Sequence, residues 1–250
     1  MKDLNAYWTE NLSGKKVLIT GGTTGIGREI ALLLTSLGAN CLICGRNEEQ
    51  IDETVSAAAK GSGTCRGTVA DLSKQEEIER LFEAVDQQLG GLDVLINNAA
   101  LGYGSVIEGG YQDWDYIVRT NLTAYLACSH YAAVRMQNAG KGHIVNIGSM
   151  SADAREEGSS VYVATKSGIQ GYSTALRKEL NPKNIKVTLI EPGAVDTDMQ
   201  AGTAEEKLGQ IDNMEMLPTS DIALSVAFCL VQHERCDIVN MQIRPHMPLI

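Results

Sequence analysis

Short apolar runs alternate along this chain with longer stretches in which apolar residues recur every three or four positions. The short runs are rich in β-branched residues and predict strands, whereas the periodic stretches predict amphipathic helices. Strands are predicted at residues 15–21, 40–45, 67–70, 92–97, 143–149, 185–192 and 237–243. The clearest helices are predicted at residues 26–37, 114–137, 161–180 and 221–231.

Most of the predicted strands are apolar throughout, which is typical of a parallel sheet covered by helices on both faces. The predicted fold class is therefore α/β, a Rossmann-type doubly wound sheet of seven parallel strands with helices on both faces. A chain of 250 residues suits a single domain, residues 1–250, better than two separate cores.

Two helix starts and one irregular segment complete the predicted architecture. Asn47, followed by two glutamates, predicts the N-cap of a second helix. The run Ser73–Glu76 predicts a capping box at the start of a helix that ends at Leu89. Residues 199–218 are polar, acidic and irregular, and they follow the sixth strand at the edge where ligands bind in such sheets. We predict that this segment is a substrate lid, with an ordinary surface loop as the alternative.

A glycine-rich turn joins the first strand to the first helix, with glycines at positions 21, 25 and 27. Glycines at such a turn let backbone N–H groups approach a pyrophosphate, and the helix N-terminus favours its negative charge. The alternative is an ordinary glycine-rich turn. The spacing matches T-G-x-x-x-G-x-G, and in this the sequence resembles the short-chain dehydrogenases/reductases.

The end of the second strand indicates which nicotinamide nucleotide is used. NAD-specific proteins carry an acid there for the ribose 2′-hydroxyl, but this strand ends at Gly45, where we expect open space, and Arg46 follows. A guanidinium can bind a 2′-phosphate through charge-assisted bidentate hydrogen bonds. The sequence therefore predicts NADP(H), with a solvated arginine as the alternative. Position 24, where many NADP-using relatives carry a basic residue, is Thr24.

Candidate chemistry lies on the predicted helix 161–180, where Tyr162 and Lys166 are four residues apart and so share a face. A nearby ammonium stabilises a phenolate, so the pair could exchange a hydroxyl proton while hydride moves. Ser149 precedes Tyr162 by the family's spacing, and Asn121 matches the asparagine of the family's catalytic tetrad. The resemblance implies that Ser149 holds the substrate oxygen and that Asn121 binds a water linking the lysine to a proton relay.

Further stretches resemble family landmarks around the cofactor: Asp71-Leu72 beside the adenine, 97–100 beside the ribose, and 192–197 beside the nicotinamide. Ala100 replaces the family's glycine at the end of the second of these stretches. The cofactor contacts that this reading implies are Gly21, Thr23, Thr24, Gly25, Ile26, Gly27, Arg46, Asp71, Leu72, Asn98, Ala99, Tyr162, Lys166, Pro192, Gly193, Val195 and Thr197.

Composition excludes several other classes of protein. A net charge of -10 at pH 7 disfavours nucleic acid and anionic membranes as partners. No apolar run approaches the roughly 20 residues of a membrane span, and the first ten residues lack an apolar signal segment, so a cytoplasmic location is expected. The six cysteines lie mostly in apolar runs. We expect reduced core thiols, Cys41 and Cys44 included, and no metal site.

The leading function is an NADP(H)-dependent alcohol dehydrogenase or carbonyl reductase acting on a small secondary alcohol or ketone, such as a 3-hydroxy/3-oxo compound. A 3-oxoacyl-[acyl-carrier-protein] reductase is the nearest alternative, although the ending at 237–245 resembles the 3-hydroxy acid dehydrogenase branch more closely. An alternative of another class is a non-catalytic NADP-binding regulatory protein. The family resemblance also implies a homodimer or homotetramer, built on the helices at 114–137 and 161–180.

Overall fold

A computed structural model describes residues 11–247 of the chain. Seven strands form one sheet in the order β3-β2-β1-β4-β5-β6-β7, and every pairing is parallel. This confirms the predicted fold class. The strands are β1 Lys16–Thr20, β2 Asn40–Gly45, β3 Thr64–Val69, β4 Val94–Asn97, β5 Gly142–Ile147, β6 Ile185–Pro192 and β7 Asn240–Ile243.

Nine α-helices accompany these strands within the described residues. They are α1 Gly25–Ser36, α2 Glu48–Ala58, α3 Gln75–Leu89, α4 Tyr111–Val118, α5 Ala124–Ala139, α6 Ser151–Ala154, α7 Ser160–Leu180, α8 Ala204–Asp212 and α9 Thr219–Leu230. A π-helical segment, Arg119–Thr123, joins α4 to α5, and a 3₁₀ turn, Asn181–Lys183, follows α7. None of the helices in the described part of the chain is long and apolar enough to cross a membrane.

The core consists of two apolar layers, one on each face of the sheet. On one face, α1, α2 and α9 pack their buried side chains against the strands. On the other face, α3, α5 and α7 do the same. The chain reverses direction between β1 and β4, since β2 and β3 lie on one side of that pair and β5 to β7 on the other. In doubly wound sheets ligands bind at this reversal, outside the carboxyl ends of the strands.

Of the two predicted helix starts, one is confirmed and the other is wrong. Asn47 caps α2 as predicted, because its side chain accepts a hydrogen bond from the Gln50 N–H. The capping box at Ser73 does not form: the Ser73 hydroxyl donates to the Asp71 carboxylate at 2.8 Å, and α3 begins after Lys74 with no side-chain cap. A short polar side chain has several local partners, and here the turn at the end of β3 supplies the better one.

The long helix predicted at 114–137 is interrupted by the π-helical segment, and the predicted lid contains α8. A capping box between Thr203 and Glu206 starts α8, which explains why a polar stretch can be helical. Cys41 and Cys44 point into the core, and burial raises the pKa of both thiols to about 12. Thiols of that kind are poor metal ligands and poor nucleophiles.

Candidate active site

The glycine turn predicted from the sequence lies at the carboxyl end of β1, beside the reversal in strand order. Gly21 and Gly25 have φ values of +64° and +52°, which side chains other than glycine rarely adopt. A Cβ on Gly27 would lie 2.1 Å from the Gly21 carbonyl oxygen, so α1 approaches β1 more closely than any other residue would permit. The three glycines therefore shape a backbone-lined turn.

The N-terminus of α1 is open at this turn. Thr24 occupies the N-cap position, but its side chain makes no capping hydrogen bond, and the first turn contains no acidic residue. The first N–H groups of a helix have no partner within the helix, and their partial positive charge favours an anion. The turn, with Thr23 and Ile26 on either side of the cap, thus fits a phosphate group.

Asn98 and Ala99 hold the turn in place from the end of β4. The Asn98 amide donates to the carbonyl oxygens of Thr20 and Gly21, both at 3.0 Å. The Thr20 hydroxyl in turn accepts from the N–H groups of Asn98 and Ala99, at 2.9 and 3.1 Å. Thr20 is the threonine of the T-G-x-x-x-G-x-G motif, and these bonds give it a structural role in the turn that the predicted cofactor contacts do not include.

Arg46 follows β2 on the same edge of the sheet and is exposed. Its guanidinium donates to the Tyr116 hydroxyl of α4 at 2.7 Å. Because Arg46 and Tyr116 are 70 residues apart, nothing local in the sequence indicates this pair. The space expected at Gly45 is filled, since a Cβ there would lie 2.5 Å from the Thr23 methyl group. Thr23 thus leaves little room for an acidic side chain at position 45.

Asp71 and Leu72 lie at the end of β3, next to the Arg46 position. Burial raises the pKa of Asp71, but hydrogen bonds from Ser73 and the charges of Lys74 and Arg46 outweigh that effect and lower it overall. The Leu72 side chain is buried in the core between sheet and α3. Of this pair, only the Asp71 side chain and the backbone remain for a ligand.

Tyr162 and Lys166 lie on the first turns of α7, and Ser149 follows β5. Burial raises the pKa of Tyr162, and a hydrogen bond with Ser149 opposes that effect. Lys166 is 2% exposed, and burial lowers the pKa of its ammonium group to about 7. The structure thus brings together the three residues that the spacing had paired.

The Lys166 ammonium lies between two aromatic rings. Its Nζ is 5.6 Å from the ring centre of Tyr162 and 5.8 Å from that of Tyr125, and it donates to the Ile147 carbonyl oxygen at 3.0 Å. The buried Tyr125 hydroxyl donates to the same carbonyl oxygen at 3.1 Å. Tyr125 is therefore a neighbour of the lysine that the sequence reading did not single out.

Asn121 is fully buried at the centre of the π-helical segment. Its side-chain oxygen accepts from the Leu101 N–H, and its amide donates to the Leu101 carbonyl, both at 2.8 Å. A weaker contact of 3.4 Å joins the amide to the Thr165 hydroxyl, next to Lys166. Asn121 therefore anchors the loop after β4 to the helix. Single-turn π-helices are frequent at functional sites.

The loop after β6 lies at the same edge of the sheet as the glycine turn and Tyr162, and we call the space between these three parts the cleft. Pro192 is the last residue of β6, and Gly193 packs against Arg244 and Pro245. Val195 forms an isolated parallel bridge with Leu217, which joins the carboxyl end of the 199–218 segment to the loop. The Thr197 methyl group lies 3.2 Å from where a Cβ on Gly25 would be. The predicted nicotinamide loop and the glycine turn are thus in contact.

Lys207 connects α8 to that same loop. Its ammonium donates to the Thr197 carbonyl oxygen at 2.7 Å and lies 3.4 Å from the Asp196 carboxylate. The middle of the 199–218 segment is therefore also attached to the loop after β6. Within the described residues, no three His, Cys, Asp or Glu side chains lie close enough to share a metal ion.

Comparison with known proteins gives the same family from sequence and from structure. The family model described as short chain dehydrogenase matches residues 15–208. An uncharacterized oxidoreductase of Staphylococcus aureus strain MRSA252 is 32% identical over 236 residues, which cover 94% of this chain and 98% of that protein. A 3-oxoacyl-[acyl-carrier-protein] reductase of Haemophilus influenzae is 35% identical over 222 residues, covering 87% of this chain and 90% of the relative.

Solved structures of the same kind superpose over nearly the whole chain. A short chain dehydrogenase from Burkholderia cenocepacia J2315, crystallised in complex with NADP, has a TM-score of 0.84 at 29% identity. The match covers 94% of this chain and 98% of that one. A dehydrogenase/reductase from Sinorhizobium meliloti 1021 has a TM-score of 0.86 at 28% identity, covering 97% and 98% of the two chains.

Proposed function

The chain belongs to the short-chain dehydrogenase family, and on that premise we propose that it is an NADP(H)-dependent alcohol dehydrogenase or carbonyl reductase. Its substrate in this proposal is a small secondary alcohol or the corresponding ketone. One observation carries the proposal. Tyr162, next to Ser149, lies beside the buried ammonium of Lys166 at the edge of the sheet where the glycine turn also lies.

In this proposal Tyr162, Ser149 and Lys166 each have a separate role in proton transfer. Tyr162 gives its phenolic proton to the carbonyl oxygen during reduction and takes it back during oxidation. Ser149 holds the same oxygen by a hydrogen bond and stabilises the charge that develops there. Lys166, while protonated, favours the phenolate form of Tyr162 and so eases proton transfer in both directions.

NADP(H), when bound, supplies or accepts the hydride. The residues present fit it, because the open N-terminus of α1 and the glycine turn suit a pyrophosphate. For the 2′-phosphate we assign Arg46 together with Tyr116, whose hydroxyl holds the guanidinium at the cleft edge. The Tyr116 hydroxyl, as a donor beside an arginine, would partly replace the basic residue missing at Thr24. The NADP complex of the Burkholderia relative supports this choice of nucleotide.

A 3-oxoacyl-[acyl-carrier-protein] reductase is the second candidate, and the Haemophilus relative supports it. Both candidates need the same Ser149, Tyr162 and Lys166 chemistry, so they differ only in the substrate. A non-catalytic NADP-binding regulatory protein is the third. It would bind the nucleotide without turning over any ketone.

Oxidation of NADPH, followed by absorbance, separates the three candidates. The substrates are a panel of small ketones and an acetoacetyl thioester of a pantetheine. Faster turnover of the ketones supports the first proposal, and faster turnover of the thioester supports the second. NADPH binding with no turnover of either supports the regulatory protein.

Tyr162→Phe tests the mechanism directly. The variant keeps the ring and loses the proton donor, so we expect turnover to fall by at least about a thousandfold while NADPH affinity stays within about twofold. Tyr172→Phe, which removes a hydroxyl from a half-buried tyrosine of the same helix, is the control and should retain turnover. Substantial turnover by Tyr162→Phe would refute the assigned proton donor.

A further inference from the structure

Three segments meet around Tyr162 and form what we call the substrate rim, namely residues 101–108, 149–160 and 196–200. The Val161 N–H donates to the Gly104 carbonyl at 3.3 Å, and the Val106 N–H donates to the Ser160 hydroxyl at 2.9 Å. A Cβ on Gly102 would lie 3.9 Å from the Met199 side chain. A substrate bound at Tyr162 would therefore lie next to these segments.

A carboxylate of the rim is linked to the proposed catalytic serine by two hydrogen bonds. The Ser151 hydroxyl donates to the Glu156 carboxylate at 3.3 Å, and the Ser151 N–H donates to the Ser149 hydroxyl at 3.2 Å. Ser149 is a neighbour of Tyr162 and lowers its pKa, against the effect of burial. Glu156 is thus fixed near the two hydroxyl groups that would hold a substrate oxygen.

No basic side chain neutralises this carboxylate among the ion pairs of residues 11–247. Arg155 is its neighbour in sequence, but the Arg155 side chain donates back to the Ala152 carbonyl at 3.3 Å. The negative charge of Glu156 also acts on Tyr162, the proposed proton donor. Burial is the main cause of the raised pKa of Tyr162, and Glu156 raises it further.

Two aromatic side chains lie in or after the first rim segment, Tyr103 within residues 101–108 and Trp114 in α4. The Tyr103 hydroxyl and the Trp114 indole N–H both donate to the Glu108 carbonyl, at 2.9 and 3.2 Å. Tyr103 lies between Leu101, which is bonded to Asn121, and Gly104, which is bonded to the first turn of α7. Aromatic rings can bind ammonium groups through cation–π contacts.

We propose that the enzyme prefers ketones and alcohols that carry a positively charged amine, and that Glu156 is the residue that selects this charge. The inference rests on the proposed function and narrows its substrate class. A cationic group one or two bonds beyond the reacting carbon would be attracted by the Glu156 carboxylate. A free 3-oxo acid would instead bring a second carboxylate toward Glu156 and be rejected.

Two isosteric pairs of ketones isolate charge from shape. 1-(Trimethylammonio)-2-propanone and 4,4-dimethyl-2-pentanone differ only in a cationic nitrogen against a neutral carbon. Acetoacetate and acetoacetamide differ in an anionic against a neutral end group. We expect wild-type kcat/KM to favour the cation over its neutral partner by roughly three- to tenfold, and to disfavour the anion similarly. In Glu156→Gln both ratios should move toward one.

Glu157→Gln is the matched control, since it removes the same charge from the adjacent exposed position. It should leave both ratios within about twofold of wild type. Equal ratios in wild type and Glu156→Gln would overturn the inference. So would an equal effect of Glu157→Gln, because net charge alone would then explain the preference.

Calorimetric binding of the four ketones to the NADP⁺-loaded protein keeps the inference testable without turnover. Tighter binding of the cation than of its neutral partner, reduced in Glu156→Gln, supports the charge selection even if NADPH is never oxidised. Binding without any charge preference overturns it. If none of the ketones is turned over, that result contradicts the proposed function but not the charge selection.

Discussion

Arg46 is an exposed residue whose side chain is restrained by a partner far away in the sequence. A lone arginine at the start of a helix would be mobile, but the hydrogen bond to Tyr116 restrains the guanidinium at the cleft. Thr23 occupies the space over Gly45, so a carboxylate that could bind a ribose 2′-hydroxyl has little room there. Both contacts favour NADP(H) in the proposed enzyme. An engineered change to NAD would need a smaller residue at position 23 as well as an acid at 45.

We predict that Arg46→Ala weakens NADPH binding by roughly ten- to a hundredfold and leaves NADH binding almost unchanged, since a charge-assisted contact is worth about 1.5–3 kcal/mol. Tyr116→Phe should weaken NADPH binding by roughly three- to tenfold. In the Arg46→Ala background, Tyr116→Phe should have a smaller effect, because part of its contribution passes through the arginine. Fluorescence titration measures these affinities.

Tyr111→Phe is the control for this pair, because Tyr111 lies on the same helix and is 76% exposed. It should change neither affinity. A wild-type kcat/KM that favours NADH would mean that Arg46 is only a solvated residue. Equal losses of NADPH and NADH binding in Tyr116→Phe would show a structural role instead.

Lys166 makes stability depend on pH in a predictable direction. Burial lowers its pKa from 10.5 to about 7, so between these values the unfolded chain binds a proton that the folded chain does not. The contribution of Lys166 to the free energy of unfolding therefore rises with pH between about 7 and 10.5, and it is lowest below pH 7. Lys166→Met removes the effect. Its free energy of unfolding should exceed that of wild type most near pH 6.5, and the difference should shrink toward pH 10.

Guanidinium denaturation at three pH values across the window measures this difference. Lys178→Met, at an exposed position of the same helix, is the control and should show a difference from wild type that does not vary with pH. A Lys166→Met difference that is constant with pH would mean that the folded protein keeps this lysine protonated throughout the window.

At the scale of elements, the close contact between α1 and the end of β1 fixes the glycine turn. Gly27 permits it, since a Cβ there would meet the Gly21 oxygen at 2.1 Å and the Asn98 amide at 2.4 Å. Neither of these atoms is the end of a long flexible chain. An added methyl group must therefore push the helix away from the strand.

Gly27→Ala should destabilise the protein by about 1–3 kcal/mol, the usual cost of overpacking, and weaken NADPH binding as well. Gly209→Ala is the comparison, because Gly209 lies in α8 and a Cβ there meets nothing within 4 Å. That variant should be stabilised by up to about 1 kcal/mol. Denaturation midpoints measure both. Equal midpoints for the two variants would contradict the close approach of α1.

At the scale of the whole molecule, the α4–α5 face leaves apolar side chains in solvent. Val118, Leu126 and Val134 are 38%, 43% and 46% exposed. A groove of about 690 Å³ runs beside Val118 and Leu126, between α3 and this face. Along the two helices predicted to form the interface, the small residues Ala164 and Gly171 are exposed, whereas Ala124 and Ala132 are buried toward the sheet.

We propose that this face, with α7, forms a two-fold interface between two copies of the chain. Leu126→Glu would place two like charges near the symmetry axis, and we expect it to convert the oligomer into smaller species at micromolar concentration. Multi-angle light scattering measures the mass. Leu37→Glu is the control, with 44% exposure at the end of α1, and should leave the mass unchanged. A wild-type mass of one chain would refute the interface.

The sequence by itself determined the order and type of nearly all elements, the parallel sheet, the glycine turn and the spacing of Ser149, Tyr162 and Lys166. These features are local: the period of apolar residues depends on the helix or strand they belong to, and a motif's spacing depends on one turn or one helix face. The errors were local as well. Ser73 bonded Asp71 instead of capping α3, because two neighbouring partners compete for one hydroxyl.

Only the tertiary structure decided which distant side chains meet. Arg46 reaches Tyr116 across 70 residues, and Tyr125 shares the Ile147 carbonyl with Lys166 from another helix. Such contacts depend on how helices pack on the sheet, a geometry that no period along the chain encodes. The π-helical turn at Asn121 is of the same kind, since its side chain bonds the Leu101 backbone 20 residues away, beyond the reach of local pattern.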